Sequence, residues 1–176
     1  MKKLFTLLAL TITFSMNAQM SDNSSSTSAT GTSAVAMGGG TTASGSHSTA
    51  MGLATTASGL ASTAMGRSTT ASGGYSTAMG RNTTASDFGL VAIGQYNSSG
   101  SSVTNNAISF STSNTAFVIG NGTASNAKSD AFKVMFNGDT TVSNDLTVSG
   151  DVNISSDARL KSNIVSLGST LPKPLL

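Results

Sequence analysis

An all-β solenoid of short stacked coils is the fold class this sequence predicts, and three observations predict it. The tripeptide Ala-Met-Gly, or Ala-Ile-Gly in its last copy, ends at Gly38, Gly52, Gly66, Gly80 and Gly94, each fourteen residues after the one before. A second series, Thr-Ala-Ser followed by Gly45, Gly59, Gly73 and finally Asp87, keeps the same spacing half a period later. The third observation is composition: 9% charged residues, 5% aromatic, no Trp and no Cys. That supplies too little bulk for a thick mixed core but plenty of small side chains for a thin one. Nineteen glycines among many Ser and Thr also occur in disordered chains, but disorder goes with high net charge and aperiodic sequence. Here the formal net charge is +2 and the register never slips across five copies.

Each coil follows from the period. A strict repeat too short for a helical hairpin implies stacked turns that pair only with their neighbours, and fourteen residues accommodate two short strands and two tight corners. The glycines that follow the strand segments, Gly38, Gly52, Gly66, Gly80 and Gly94, supply the backbone freedom of the corners. At about 4.8 Å between strands, five coils make a column about 25 Å tall. An incomplete first copy is visible at Ala29 and Gly31. Within Ser-Thr-Ala-Met-Gly, alternation places Ser, Ala and Gly on one face and Thr and Met on the other. The face of small residues is expected inside, where only a flat coil can be filled by it. Met37, Met51, Met65, Met79 and Ile93 then form an exposed apolar ladder. On an exported protein such a ladder is an association surface or an aggregation liability, and three chains packed on their ladders around a common axis would bury it.

The Ala-Met-Gly and Thr-Ala-Ser-Gly series at this spacing resemble the head repeats of YadA-type trimeric autotransporter adhesins, over residues 27–94. The resemblance implies a left-handed parallel β-roll, a homotrimer, and adhesion to a host, matrix or other surface ligand. Met stands where that family usually has Ile in four of the five copies. No ten-residue alternating segments of a membrane barrel and no heptad stalk accompany the repeats.

The remaining segments are read in order. Residues 1–18 have the form of a secretory signal, with Lys2 and Lys3, an apolar run from Leu4 to Phe14 and a short polar end at Ala18. This run of eleven residues falls short of the roughly 20 that span a bilayer, so no transmembrane segment is expected, and the protein is expected to be secreted or at the bacterial cell surface. Residues 95–113 lose the period and read as a connector. Residues 114–155 hold two apolar strands, Ala116–Gly122 and Ala131–Phe136, expected to form a hairpin capping the column, and then short patches at Val142, Leu146, Val148, Val152 and Ile154 expected to form an intertwined β-stalk.

The run Ser156-Asp157-Ala158-Arg159-Leu160-Lys161-Ser162-Asn163-Ile164 resembles the opening of the intramolecular chaperone domain of endosialidase-type tail spikes. That resemblance implies a nucleophile at Ser156, a base at Lys161 and self-cleavage at the Ser156–Asp157 junction. A Lys acts as a base when burial lowers its pKa. Fifteen residues follow Lys161, so residues 156–176 read as a truncated start of the domain, and self-cleavage is not expected to be retained.

Other chemistries find little footing. Outside the signal segment seven basic residues face seven Asp, there is no Glu, and Arg67 and Arg81 are the only charges between Asp22 and Asp87. A nucleic-acid groove has no electrostatic basis in such a chain. His47 is the only histidine, an exposed corner residue rather than a metal ligand, which needs partners. Asp22, Asp87 and Asp130 are too scattered for a calcium repeat, no Lys follows the glycines as a phosphate loop requires, and Tyr75 and Tyr96 read as isolated corner aromatics. No metal and no cofactor is expected, nor is a metabolic enzyme. The competing class is ice binding, because Thr41 with Thr42, Thr55 with Thr56, Thr69 with Thr70 and Thr83 with Thr84 stack into threonine ladders. Such ladders also follow simply from β-propensity.

Overall fold

The computed structural model describes residues 26–150. Among them every regular element is a strand, and they form an all-β solenoid whose two faces are unequal sheets. The chain divides into a unit ending at Asp145 and a second beginning at Leu146. The described part of the second, residues 146–150, is exposed and contains no strand. The expected signal segment and the expected chaperone start lie outside the described residues.

One sheet has five strands of two residues each: β1 (Ser28–Ala29), β3 (Thr42–Ala43), β5 (Thr56–Ala57), β7 (Thr70–Ala71) and β9 (Thr84–Ala85), stacked in that order. The other begins with β2 (Val35–Met37), β4 (Thr49–Leu53), β6 (Thr63–Arg67), β8 (Thr77–Arg81) and β10 (Val91–Gln95), all parallel. Within both runs each residue pairs with the one fourteen positions on, as in Met51 with Met65 and Thr56 with Thr70. The repeat in the sequence is therefore the hydrogen-bond register itself.

The core is one methyl group thick on each side. Ala36, Ala50, Ala64, Ala78 and Ala92 face Ala43, Ala57, Ala71 and Ala85 across the coil, all of them buried. Larger side chains would force the sheets apart. Ser48, Ser62 and Ser76 share this interior with Thr41, Thr55, Thr69 and Thr83. The adjacent threonines thus part company, since strand alternation sends Thr41 and its equivalents inward and Thr42 and its equivalents outward. The ice-binding expectation counted both as ladder surface, and only one of the two is.

The expectation that Gly shares the interior with Ser and Ala fails for a related reason. Gly52, Gly66, Gly80 and Gly94 are exposed, because each lies inside its strand rather than after it and its left-handed backbone kinks the strand there, breaking the in-and-out alternation. At Gly52 the backbone is left-handed, φ +115°, and a Cβ there would lie 2.1 Å from the carbonyl oxygen of Gly66. The coils approach so closely at this corner that no side chain fits between them.

At the other corners glycine is the exception, found only at Gly40 and Gly89. A left-handed residue stands at every seventh position from Ser33 to Tyr96, including His47, Ala54, Ala61, Ser68, Tyr75 and Asn82. Their N–H groups donate to the previous coil: His47 to the Thr32 carbonyl at 2.7 Å, Ala54 to Gly39 at 2.8 Å, Ala61 to Ser46 at 2.8 Å and Tyr75 to Leu60 at 2.7 Å. Each such residue carries roughly 1–2 kcal/mol of local strain, offset by a hydrogen bond that continues the ladder around the corner.

After β10 the two sheets part. The five-stranded sheet ends at β9, while the other continues through β11 (Thr115–Asn121), parallel to β10, then β12 (Asp130–Met135) and β13 (Thr140–Val142), both antiparallel. The hairpin of β11 and β12 extends the sheet edge rather than covering the end of the column. That covering falls to the connector, residues 95–113, which folds back over the last short strand. Ser86 N–H donates to the Gly100 carbonyl at 2.9 Å, Phe88 N–H to Asn106 at 3.0 Å, and Gly74 N–H to Ala107 at 2.7 Å.

Candidate functional site

The methionines stand on the face of the longer sheet opposite the alanine core. Met37, Met51, Met65, Met79 and Ile93 are consecutive register partners. The row does not stop there. Ile93 pairs with Ile119, Ile119 with Phe132, and Phe132 with Val142. An unbroken line of eight apolar side chains therefore crosses all eight strands, each of them half-buried by its neighbours. At the usual strand spacing it is about 34 Å long. Beside it on the same face runs a second row, Val35, Thr49, Thr63, Thr77, Val91, Phe117, Val134 and Thr140. Phe117 and Phe132 meet across the two rows edge to face, with centroids 6.1 Å apart.

The last three members of the first row, Ile119, Phe132 and Val142, are not among the ladder residues expected from the sequence; Val142, expected in the stalk, instead pairs with Phe132 as part of the sheet. The connector inserts twelve extra residues, so that Val91 pairs with Phe117, twenty-six positions on. The fourteen-residue period that carries the methionines ends at Ile93. The usable signal was the local alternation of Phe117, Ile119, Phe132 and Val134, which matches that of Val91 and Ile93.

The end of the column is held by four polar side chains, three of them buried. Asn97 lies fourteen residues after Thr83 and its amide takes the place of another strand: its Oδ1 accepts from Thr84 N–H and its Nδ2 donates to the Thr84 carbonyl, both at 2.8 Å. Asp87 stands where the earlier coils have Gly31, Gly45, Gly59 and Gly73. At Gly73 a Cβ would lie 2.1 Å from the carbonyl oxygen of Asp87. No further coil lies above Asp87, and its carboxylate occupies that space, accepting from Thr104 N–H at 2.6 Å and Thr115 N–H at 2.8 Å. Asp130 accepts from Ser98 and Ser99 N–H, both at 2.8 Å. Asn114 accepts from Asn106 N–H at 2.8 Å and donates to its carbonyl at 2.6 Å. The two aspartates that looked scattered are backbone clamps on the connector.

Several sequence candidates are not brought together. Ser156, Asp157 and Lys161 lie outside the described residues. His47 and Tyr75 are exposed at corners; Tyr75 packs edge to face on Phe88 at 5.3 Å, and the Arg81 guanidinium lies over the Tyr96 ring at 5.6 Å. Among the described residues no group of three or more His, Cys, Asp or Glu converges as metal ligands would, and no helix is long and apolar enough to cross a membrane.

Comparison with known proteins agrees with the stacked-coil geometry. Two stretches, residues 29–54 and 57–86, match the YadA head domain repeat. No curated protein and no solved structure matches the chain. The matched stretches run along the alanine-cored coils, with register pairs from Ser28–Thr42 to Met65–Met79 touching or lying within them. Over these two stretches the column is similar to YadA-type head repeats.

Proposed function

We propose that this chain is the head of an exported bacterial surface protein that assembles as a homotrimer and attaches the cell or its matrix to a surface ligand. The observation that carries the proposal is the apolar line from Met37 to Val142, which a single chain leaves half-open to water. Buried apolar surface contributes about 25 cal/mol per Å², and eight such side chains in one straight line suit a threefold seam in which each chain meets its two sisters. The rows of Thr and Ser on the five-stranded sheet would then face outward. The head acts by contact rather than by catalysis, and the YadA-type repeats support that adhesin-like reading.

The test is the mass of the native assembly. A trimer is expected, and Met65→Asp, which places a charge at the middle of the line, is expected to give folded monomers and to abolish attachment of bacteria or beads displaying the protein. A wild-type monomer would overturn the reading.

A further inference from the structure

The two sheets differ in length by three strands, and the difference leaves a step. The inward row of the longer sheet runs Ala36, Ala50, Ala64, Ala78, Ala92, Val118, Lys133 and Thr141 by register. It is buried through Val118. Beyond Val118 the shorter sheet no longer covers it, and the row turns polar at Lys133. A cavity of about 400 Å³ opens there, lined among others by Lys128, Lys133, Asn121, Asn144 and Asp130. Its size lies within the range of about 300–1,000 Å³ usual for small-ligand sites.

The charge in this cavity is unbalanced. Neither the Lys128 nor the Lys133 ammonium has a hydrogen-bond or ion-pair partner among the described residues. The only carboxylate in the lining, Asp130, already accepts from the N–H groups of Ser98 and Ser99. Around the two cations stand the side-chain amides of Asn121 and Asn144 and the hydroxyl of Thr141, with no aromatic ring in the lining; the Ser143 hydroxyl donates to the Asp130 carbonyl, and Asn121 Oδ1 accepts from Ser129, which leaves the Asn121 amide nitrogen to donate. Two cations call for an anionic group. Amides and hydroxyls, which both donate and accept, suit the ring hydroxyls of a sugar. The missing aromatic platform argues against a nucleobase, and the free backbone N–H pair that would cradle a phosphate is occupied by Asp130.

We infer that this step is a binding site for an acidic saccharide, a sugar residue bearing a carboxylate or sulfate, with Lys133 and Lys128 on the anion and Asn121 and Asn144 on the hydroxyls. Lys133 lies on the opposite face of β12 from Phe132 and Val134, so the site does not share residues with the apolar line. The inference rests on the adhesin reading for its purpose, and the two fail separately.

Titration of the full-length protein, followed by calorimetry or by NMR, should show saturable binding of a glucuronate-containing disaccharide or of sialyllactose. Neutral lactose should bind at least about tenfold more weakly, and Lys133→Gln and Lys128→Gln should each weaken the acidic sugar by about tenfold, the loss expected for one charge-assisted hydrogen bond. Both positions are solvent-accessible, so the melting temperatures should not move. Equal binding of lactose, undiminished binding by Lys133→Gln, or binding of inorganic sulfate as tight as that of the sugar would each overturn the inference. If Met65→Asp monomers still bind the acidic sugar while a wild-type monomer is found, the saccharide site stands and the threefold assembly falls. The reverse pattern leaves the trimer without this ligand.

Discussion

The side-chain amide of Asn97 pairs with the backbone of Thr84 as a strand would, with both hydrogen bonds at 2.8 Å. In every lower coil the equivalent N–H finds a backbone carbonyl: Thr42 donates to Thr55, Thr56 to Thr69 and Thr70 to Thr83, at 2.8, 2.8 and 2.9 Å. A single side chain therefore completes the ladder at its last rung and closes an edge that would otherwise invite another chain. Replacing it by Ala leaves the part-buried N–H and C=O of Thr84 without these partners. Asn97→Ala is expected to cost about 2–4 kcal/mol, read by chemical denaturation. Asn97→Asp should be no better, because a carboxylate can accept from Thr84 N–H but faces the Thr84 carbonyl with no proton to give.

Asp87 holds the connector by a different route, one carboxylate on two N–H groups seventeen and twenty-eight residues away. Asp87→Ala should release residues 95–113 while leaving the lower coils intact. Hydrogen exchange is the discriminating measurement: protection is expected to fall at Thr104 and Thr115 and to persist at Ala57 and Ala64. Loss of protection along the whole column would show that the clamp supports the fold at large rather than its end.

The corners offer a pair of opposite substitutions. Gly52→Ala meets a backbone oxygen 2.1 Å away at φ +115° and is expected to cost at least about 3 kcal/mol. Ala61, at φ 49°, already bears left-handed strain, and Ala61→Gly should be neutral or stabilise by up to about 1 kcal/mol, the lost strain being partly offset by greater freedom of the unfolded chain. The melting temperature should fall for Gly52→Ala and hold or rise for Ala61→Gly.

Inside the coil, Thr55, Thr69 and Thr83 bury hydroxyl oxygens with no hydrogen-bond partner. A desolvated hydroxyl without a partner is a cost, and Val has the same shape. Thr69→Val is expected to stabilise by about 1 kcal/mol, whereas Ser76→Ala, which removes a 2.7 Å bond to the Gly73 carbonyl, should destabilise slightly. If both behaved alike, the interior would be indifferent to its polar atoms.

The column was legible because stacked coils make the same demand at the same place. Ala50, Ala64 and Ala78 recur since each sits between the same two backbones, and the fourteen-residue shift between them is also their pairing register. What escaped lies where that demand changes. The left-handed conformation of Ala61 and Tyr75 is imposed by bonds to the preceding coil, so side-chain type does not announce it. The eight-membered apolar line was half visible, its outer three members hidden by the insertion. Asp87 in place of Gly and Asn97 in phase with Thr83 were visible as departures from the repeat, and departures at the end of a periodic stretch are where capping chemistry belongs. The pairing of Lys133 with Val118 depends on an antiparallel register that no repeat encodes.

Because each coil bonds only to the coils above and below it, in identical phase, removing any fourteen consecutive residues between Thr42 and Thr84 would rejoin equivalent atoms and leave both ends as they were. The height of the column is thus a quantity that unequal copying of its gene could change in steps of about 4.8 Å, lengthening or shortening it without redesigning the tip.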